Sequence, residues 1–158
     1  MAFKMKLIGG ENPKLKAIVK LKDPKRALNV GRAMIAFTLK HPCLGLAANQ
    51  FGIMERVCIA KVGGKMRIFI DPQIISSAGS QISVQEGCLT WPNRRGNIER
   101  PWRIMVKRLS INNPPDQTGS TDLLHADIFT GQEAIILEHE IDHLNGTRCI
   151  DKFIKEKL

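Results

Sequence analysis

The sequence predicts an α+β fold: small mixed or antiparallel sheets around a central helix near the C-terminus, with an amphipathic helix near the N-terminus. Three observations lead there. Asp23-Pro24 opens a run whose apolar residues recur at helical spacing. Between residues 56 and 129, short β-branched and apolar runs alternate with glycine, proline and asparagine turns. A second helical run, from about 131 to 144, holds His139 and His143 four residues apart, with Glu140 beside the first.

The elements follow in order. Residues 1–22 are mixed, with turns at Gly9-Gly10 and Asn12-Pro13 and a short strand or irregular run over 15–21. Asp23 is the N-cap of the first helix and Pro24 its first position. Ala27, Val30, Met34, Ile35 and Phe37 form its apolar stripe up to Lys40. His41-Pro42 ends it, because the residue before a proline disfavours helical angles. Residues 43–52 read as a small-residue loop in which Gly45 permits close approach of another segment.

Strands are expected over 56–61 and 67–70, joined by a turn at Gly63-Gly64. Asp71-Pro72 breaks the run, and Ile74-Ile75 and residues 81–84 are further short strands. Residues 86–100, with Gly87, Pro92, Asn93 and Gly96, read as a loop that is irregular at both ends. A strand over 103–111 turns Ile104, Val106 and Leu109 to the core. A surface loop over 112–120 and a strand over 123–129 come next. Thr130 and Glu133 have the spacing of a capping box, and the helix they open stops at Asn145-Gly146. Its apolar positions are Ala134, Ile135, Leu137, Ile141 and Leu144.

Composition bounds the function. The 158 residues, 43% apolar and 25% charged, are read as one domain over 1–158 with a sizeable core. Apolar stretches are short and interrupted by charges, which argues against a transmembrane helix. No apolar segment follows the N-terminal lysines, so a secretion signal is not expected and the location is read as cytoplasmic. Four cysteines without a C-x-x-C pair fit reduced thiols better than a disulfide framework. The net charge of +9 invites a polyanion, but aromatics are only 5% and tyrosine is absent, which argues against base stacking as the main activity. The charge is read as a solvated basic surface, with weak affinity for ribosomes or RNA as the alternative.

The chemistry begins on the second helix. Residues four apart lie on one face, so His139 and His143 can reach one ion and Glu140 a water beside it. That is an arrangement for metal-assisted hydrolysis. A catalytic metal site needs a third ligand and an open position. No further histidine or glutamate follows at the spacing used by longer zinc-protease motifs. Cys88, in Glu86-Gly87-Cys88-Leu89-Thr90, is the best remaining donor. Its alternative is a buried apolar thiol, and the alternative for the helix is a surface histidine pair with a salt-bridging glutamate.

Three separated segments resemble, in the same order, the signature motifs of peptide deformylases. Gly45-Leu46-Ala47-Ala48-Asn49-Gln50 is similar to G-x-G-L-A-A-P-Q, Glu86-Gly87-Cys88-Leu89-Thr90 to E-G-C-L-S, and His139-Glu140-Ile141-Asp142-His143 to H-E-x-D-H. The resemblance implies a metal-dependent hydrolase that removes the formyl group from N-formylmethionyl peptides of nascent proteins, in a bacterium or a phage-infected bacterial cell. By position it implies Cys88, His139 and His143 as ligands of one divalent ion and Glu140 as general base. It implies the Gln50 side-chain amide and the Leu89 backbone N–H as oxyanion donors. Ferrous iron is the metal it points to, with nickel or cobalt as active substitutes; the donor set by itself also suits zinc.

The same resemblance gives Gly45 a hydrogen bond to the substrate backbone; Ile135 and Ile136, one turn before His139 and Glu140, can wall a methionine pocket, with Leu44 and Val84 the matching wall by resemblance. Ordinary core is the alternative for those four. Arg95 would line the cleft, and Arg100 would tie Glu86 to Asp142. The chain departs from the motifs at Cys43 for glycine, Asn49 for proline and Thr90 for serine, and Gln132 replaces a more usual apolar residue. A monomer is expected. Two other readings stand beside this one: a His-Glu-x-x-His protease that cleaves internal peptide bonds without Cys88, and a basic ribosome- or RNA-binding domain with a structural metal.

Overall fold

In the computed structural model, which describes residues 2–110 and 123–155, seven strands and two α-helices follow one another. They are α1 (Pro24–Thr38), β1 (Gly45–Ala47), β2 (Val57–Val62), β3 (Lys65–Ala78), β4 (Gln81–Cys88), β5 (Trp91–Arg100), β6 (Arg103–Ser110), β7 (Leu123–Thr130) and α2 (Gly131–Leu144). Five strands form one antiparallel sheet in the order β1-β2-β3-β6-β7, and β4 and β5 form a second, two-stranded sheet. The architecture is therefore mixed α+β with antiparallel sheets. Among the described residues, no helix is long and apolar enough to cross a membrane.

Helix α1 starts where Asp23 accepts hydrogen bonds from the backbone N–H groups of Lys25 at 2.9 Å and Arg26 at 3.3 Å. Ala27, Val30 and Met34 pack into a core with Val57, Ile59 and Ile70 of β2 and β3. The helix ends at Thr38, short of Lys40. Helix α2 buries Ala134, Leu137, Ile141 and Leu144 against Cys58, Ala60, Ile104 and Val106 of the large sheet. It stops as expected where Gly146 takes a positive φ of 75°.

Several local expectations are corrected. The segment 43–52 is not all loop: Gly45–Ala47 pairs with β2, and a 3-10 turn, Ala48–Phe51, follows. Leu46, Ala47 and Ala48 are buried, and sheet pairing supplies backbone partners that water cannot. Asp71-Pro72 does not break β3. Asp71 takes a φ of +49°, and register shifts between Ile70 and Gln73 and between Ile74 and Ser76 carry the strand past the proline. The region 86–100 is largely strand, not irregular loop, because β4 runs through Cys88 and β5 begins at Trp91. In a two-stranded sheet every strand is an edge, and bulges at Ser83/Glu86 and Gly87/Cys88 absorb residues that read as loop formers.

The capping box at α2 does not form. Thr130 makes no side-chain cap bond, and Glu133 instead accepts from the Gly63 N–H at 2.8 Å, in the β2–β3 turn. Within 15–21 there is no strand: Leu15 lies buried in a 3-10 turn, Pro13–Lys16, and Val19 donates to the Leu144 carbonyl at 2.8 Å. The loop expected over 112–120 lies outside the described residues.

Candidate active site

Helix α2 carries three buried polar side chains, His139, Glu140 and His143, of which the first two line one cavity. The end of β4 brings Cys88 to them. Cys88 Sγ lies 3.3 Å from His143 Nε2, and donor atoms of Cys88, His139 and His143 all fall within 4.8 Å of one another. His139 Nδ1 is 2.5 Å from Glu86 Oε1, which leaves its Nε2 to face Cys88. Glu86 in turn accepts two bonds from Arg100, from Nε at 2.8 Å and from Nη2 at 2.5 Å. Arg100 is fully enclosed and also reaches Asp142 at 3.0 Å and Glu138 at 3.5 Å. Arg100 thus bonds both Glu86 and Asp142; Glu86 lines the cavity, while Arg100 and Asp142 stand behind it.

Gln50 lies in the 3-10 turn after β1. Its Oε1 accepts from the Ala47 N–H at 2.8 Å, which orients the amide. Its Nε2 donates to Thr90 Oγ1 at 3.0 Å and to Cys88 Sγ at 3.3 Å. Gly45 faces Glu140 so closely that an added Cβ would stand 2.6 Å from Glu140 Oε1. A side chain at position 45 would displace the carboxylate, which accounts for the glycine by a route additional to the expected substrate contact.

Burial pushes Glu140 up to about 7, opposed by the nearby His139 and His143. Burial also disfavours the charged form of His139, but hydrogen bonds to Cys88 and Glu86 outweigh it and raise the imidazole to about 10. The Cys149 thiol, hydrogen-bonded to Cys88, holds that cysteine well below the usual thiol range, against burial and with help from both histidines. Burial would raise Glu86, yet the Arg100 and His139 bonds hold it below the usual carboxylate range. Burial, with Glu140 adding, pushes Cys43 up to about 11. The convergent sulfur and nitrogen donors, and a buried Glu140 Oε2 with no partner among the described residues, fit a divalent cation.

The cavity measures about 710 Å³. Gly45, Gln50, Glu86, Cys88, Leu89, His139 and Glu140 line it, as do Leu44, Val84, Arg95, Ile135 and Ile136. Ile135 and Ile136 are buried, whereas Leu44 is 49% and Val84 71% exposed, so two of the four apolar walls are open. Cys43 and Gln132, two of the departures from the motifs, also face it. The sequence reading gave no role to Trp91, whose ring stacks on His143 with centroids 6.0 Å apart and planes 6° apart. Nor did it find Lys152, which bonds Asp142 at 2.9 Å, or Glu138 beside Arg100. Only the placement of Glu138 next to His139 offered a signal.

An antiparallel α+β frame that brings Cys88, His139 and His143 together beside a buried carboxylate is an arrangement suited to metal-assisted hydrolysis. The chain belongs to the polypeptide deformylase family, whose sequence model matches residues 10–158. It is 42% identical over 113 residues to a peptide deformylase of Alkaliphilus metalliredigens, covering 72% of this chain and 70% of that one. To peptide deformylase 1 of Clostridium acetobutylicum it is 34% identical over 137 residues, 86% and 84% of the two chains. The crystal structure of peptide deformylase from Thermotoga maritima superposes with a TM-score of 0.82 at 27% identity, over 98% of this chain and all of that one.

Proposed function

We propose that Cys88, His139 and His143 hold one divalent ion, at which Glu140 and Gln50 hydrolyse the formyl amide of N-formylmethionyl peptides. As a member of its family the chain is a metallohydrolase that removes the formyl group from nascent polypeptides. The observation that carries the assignment of roles is the convergence of three donor atoms at the edge of a cavity lined by Cys88, His139 and the unpartnered carboxylate of Glu140.

When bound, a divalent ion supplies Lewis acidity, drawing density from a carbonyl oxygen and lowering the pKa of water. Water adds to the formyl carbon, the C–N bond breaks, and formate and a free amine leave. Glu140, raised by burial to about 7, takes a proton from the water and returns it to the amine nitrogen. The Gln50 amide, oriented through the Ala47 N–H, donates to the oxyanion together with the Leu89 backbone N–H. Glu86 accepts from His139 Nδ1 and so keeps Nε2 as the ligating atom.

Leu44, Val84, Ile135 and Ile136 receive the methionine side chain, Gly45 meets the substrate backbone, and Arg95 stands on the cleft. Ferrous iron is the native metal in this reading, and nickel, cobalt or zinc can replace it. Helix α2 is the metal-binding helix, and amphipathic α1 backs the large sheet. Residues 1–158 act as one monomeric catalytic domain in the cytoplasm, and the +9 charge gives at most weak affinity for the ribosome.

The deciding experiment is anaerobic formate release from a formyl-methionyl peptide, run beside its acetylated and internal-bond analogues, with metal analysis of the same sample. Formate from the first substrate alone, with one metal per chain, is expected. Cleavage of the internal bond, or a metal content unchanged in Cys88→Ala, would move the reading to a generic metalloprotease.

A further inference from the structure

Asn49 stands where the first motif ordinarily has proline, and nothing in the assigned chemistry uses it. Its side chain is fully buried in the 3-10 turn Ala48–Phe51. Asn49 Nδ2 donates to the backbone carbonyl of His143 at 2.6 Å, joining residues 94 positions apart. That carbonyl lies in the last turn of α2, where no intrahelical donor remains, and it also accepts from the Gly146 N–H at 3.1 Å.

The neighbouring contacts close a ring. Asn49 holds the His143 carbonyl, Gln50 is the next residue, Gln50 Nε2 reaches Cys88 Sγ at 3.3 Å, and Cys88 Sγ is 3.3 Å from His143 Nε2. The ring joins the 3-10 turn, β4 and α2, which nothing in local sequence brings together. Proline cannot close it, because it has no side-chain donor. Asn49 Oδ1 has no partner among the described residues, a costly state for a buried amide, so the bond from Nδ2 is what holds this side chain inside.

We infer that Asn49 is a positioning residue: its bond to the His143 carbonyl sets where the Gln50 amide stands relative to Cys88 and His143. The inference rests on the reading of Gln50 as oxyanion donor. The chain thus holds its oxyanion donor to the ligand set by a side-chain tether at a position where the resembled motif has proline, which offers no such donor.

The test uses the cobalt-loaded enzyme and the variants Asn49→Ala, Asn49→Asp, Gln50→Ala and the Asn49→Ala/Gln50→Ala double variant. Asparagine to alanine cannot overpack the turn, and aspartate keeps the shape while removing the donor. Both should lower kcat by roughly tenfold or more, with KM changed by less than about threefold. In the Gln50→Ala background, Asn49→Ala should change kcat by less than about twofold. The thiolate-to-cobalt absorption band gives a readout besides activity, since Gln50 Nε2 touches the sulfur. Asn49→Ala should shift that band in the parent and leave it unmoved in the Gln50→Ala background.

Equal losses in both backgrounds, an unchanged kcat in Asn49→Ala, or a band shift independent of Gln50 would each overturn the inference. If Gln50→Ala itself keeps full kcat, the oxyanion reading fails separately. The absorption band then decides Asn49 on its own: a shift that requires Gln50 supports the tether, and no shift removes it. Should Asn49→Ala not fold, Asn49→Asp carries the same cycle.

Discussion

Glu140 and Cys43 face the same cavity, and burial raises both, to about 7 and about 11. For Glu140 the raised value suits a group that must take a proton and give it back near neutral pH. Glu140→Gln keeps the shape and removes the proposed base. It should retain one metal per chain while kcat falls by about 10²–10⁴-fold, read by metal analysis and formate release on one sample. Full turnover in that variant would remove Glu140 from the role. For Cys43 the consequence is protection. The thiolate is the nucleophile, and its fraction falls about tenfold for each pH unit below the pKa. At pH 8 alkylation of Cys43 by iodoacetamide should therefore run roughly a hundredfold slower than for an ordinary thiol, rising with pH until about 11. Peptide mass spectrometry over a pH series measures this, and fast labelling at pH 8 would show that the cavity wall is wetter than the buried geometry implies.

At the level of elements, packing overrides local preference in ways that a single substitution can expose. Gly31 lies inside α1, where helix propensity alone favours alanine by about 1 kcal/mol. An added Cβ there would stand 2.6 Å from Ile68 Cγ2 and 3.0 Å from Cγ1, on β3. Gly31→Ala should accordingly destabilise by about 1–3 kcal/mol, measured by urea unfolding; a gain in stability would mean that α1 slides freely on the sheet. The start of α2 teaches the same lesson. Thr130 and Glu133 have capping spacing, yet Glu133 bonds the Gly63 N–H because the β2–β3 turn offers a nearby donor. Local signals at Asp71-Pro72 and over 86–100 likewise predict breaks, although strand pairing with bulges accommodates Asp71, Gln85 and the prolines.

For the whole molecule, Arg100 connects the small sheet to α2. From β5 it holds Glu86 of β4, and from the other side it meets Asp142 and Glu138 of α2. Those contacts fix the β4 segment that bears Cys88 against the helix that bears both histidines. Arg100→Met would leave carboxylates enclosed without their partner. It should cost about 3–5 kcal/mol in urea unfolding of the metal-free protein. Metal affinity, by chelator competition, should fall about 10–100-fold through the freed Glu86–His139 pair. An unchanged affinity would confine Arg100 to stability alone.

The sequence by itself determined the parts that are local: the Asp23-Pro24 start of α1, the Gly63-Gly64 turn, the span of α2 with its stop at Gly146, and the three motifs. Such features are set by the backbone preferences of a few adjacent residues, so they survive whatever the rest of the chain does. Tertiary structure alone decided that Gly45–Ala47 is a strand, that β4 and β5 pair, that Trp91 lies on His143, and that Arg100 is fully buried and also meets Glu138. It also decided the ring through Asn49, Gln50, Cys88 and His143. The physical reason is common to all of these. Pairing energy, burial and charge compensation depend on which distant segments arrive together, and a window of neighbouring residues holds no record of them.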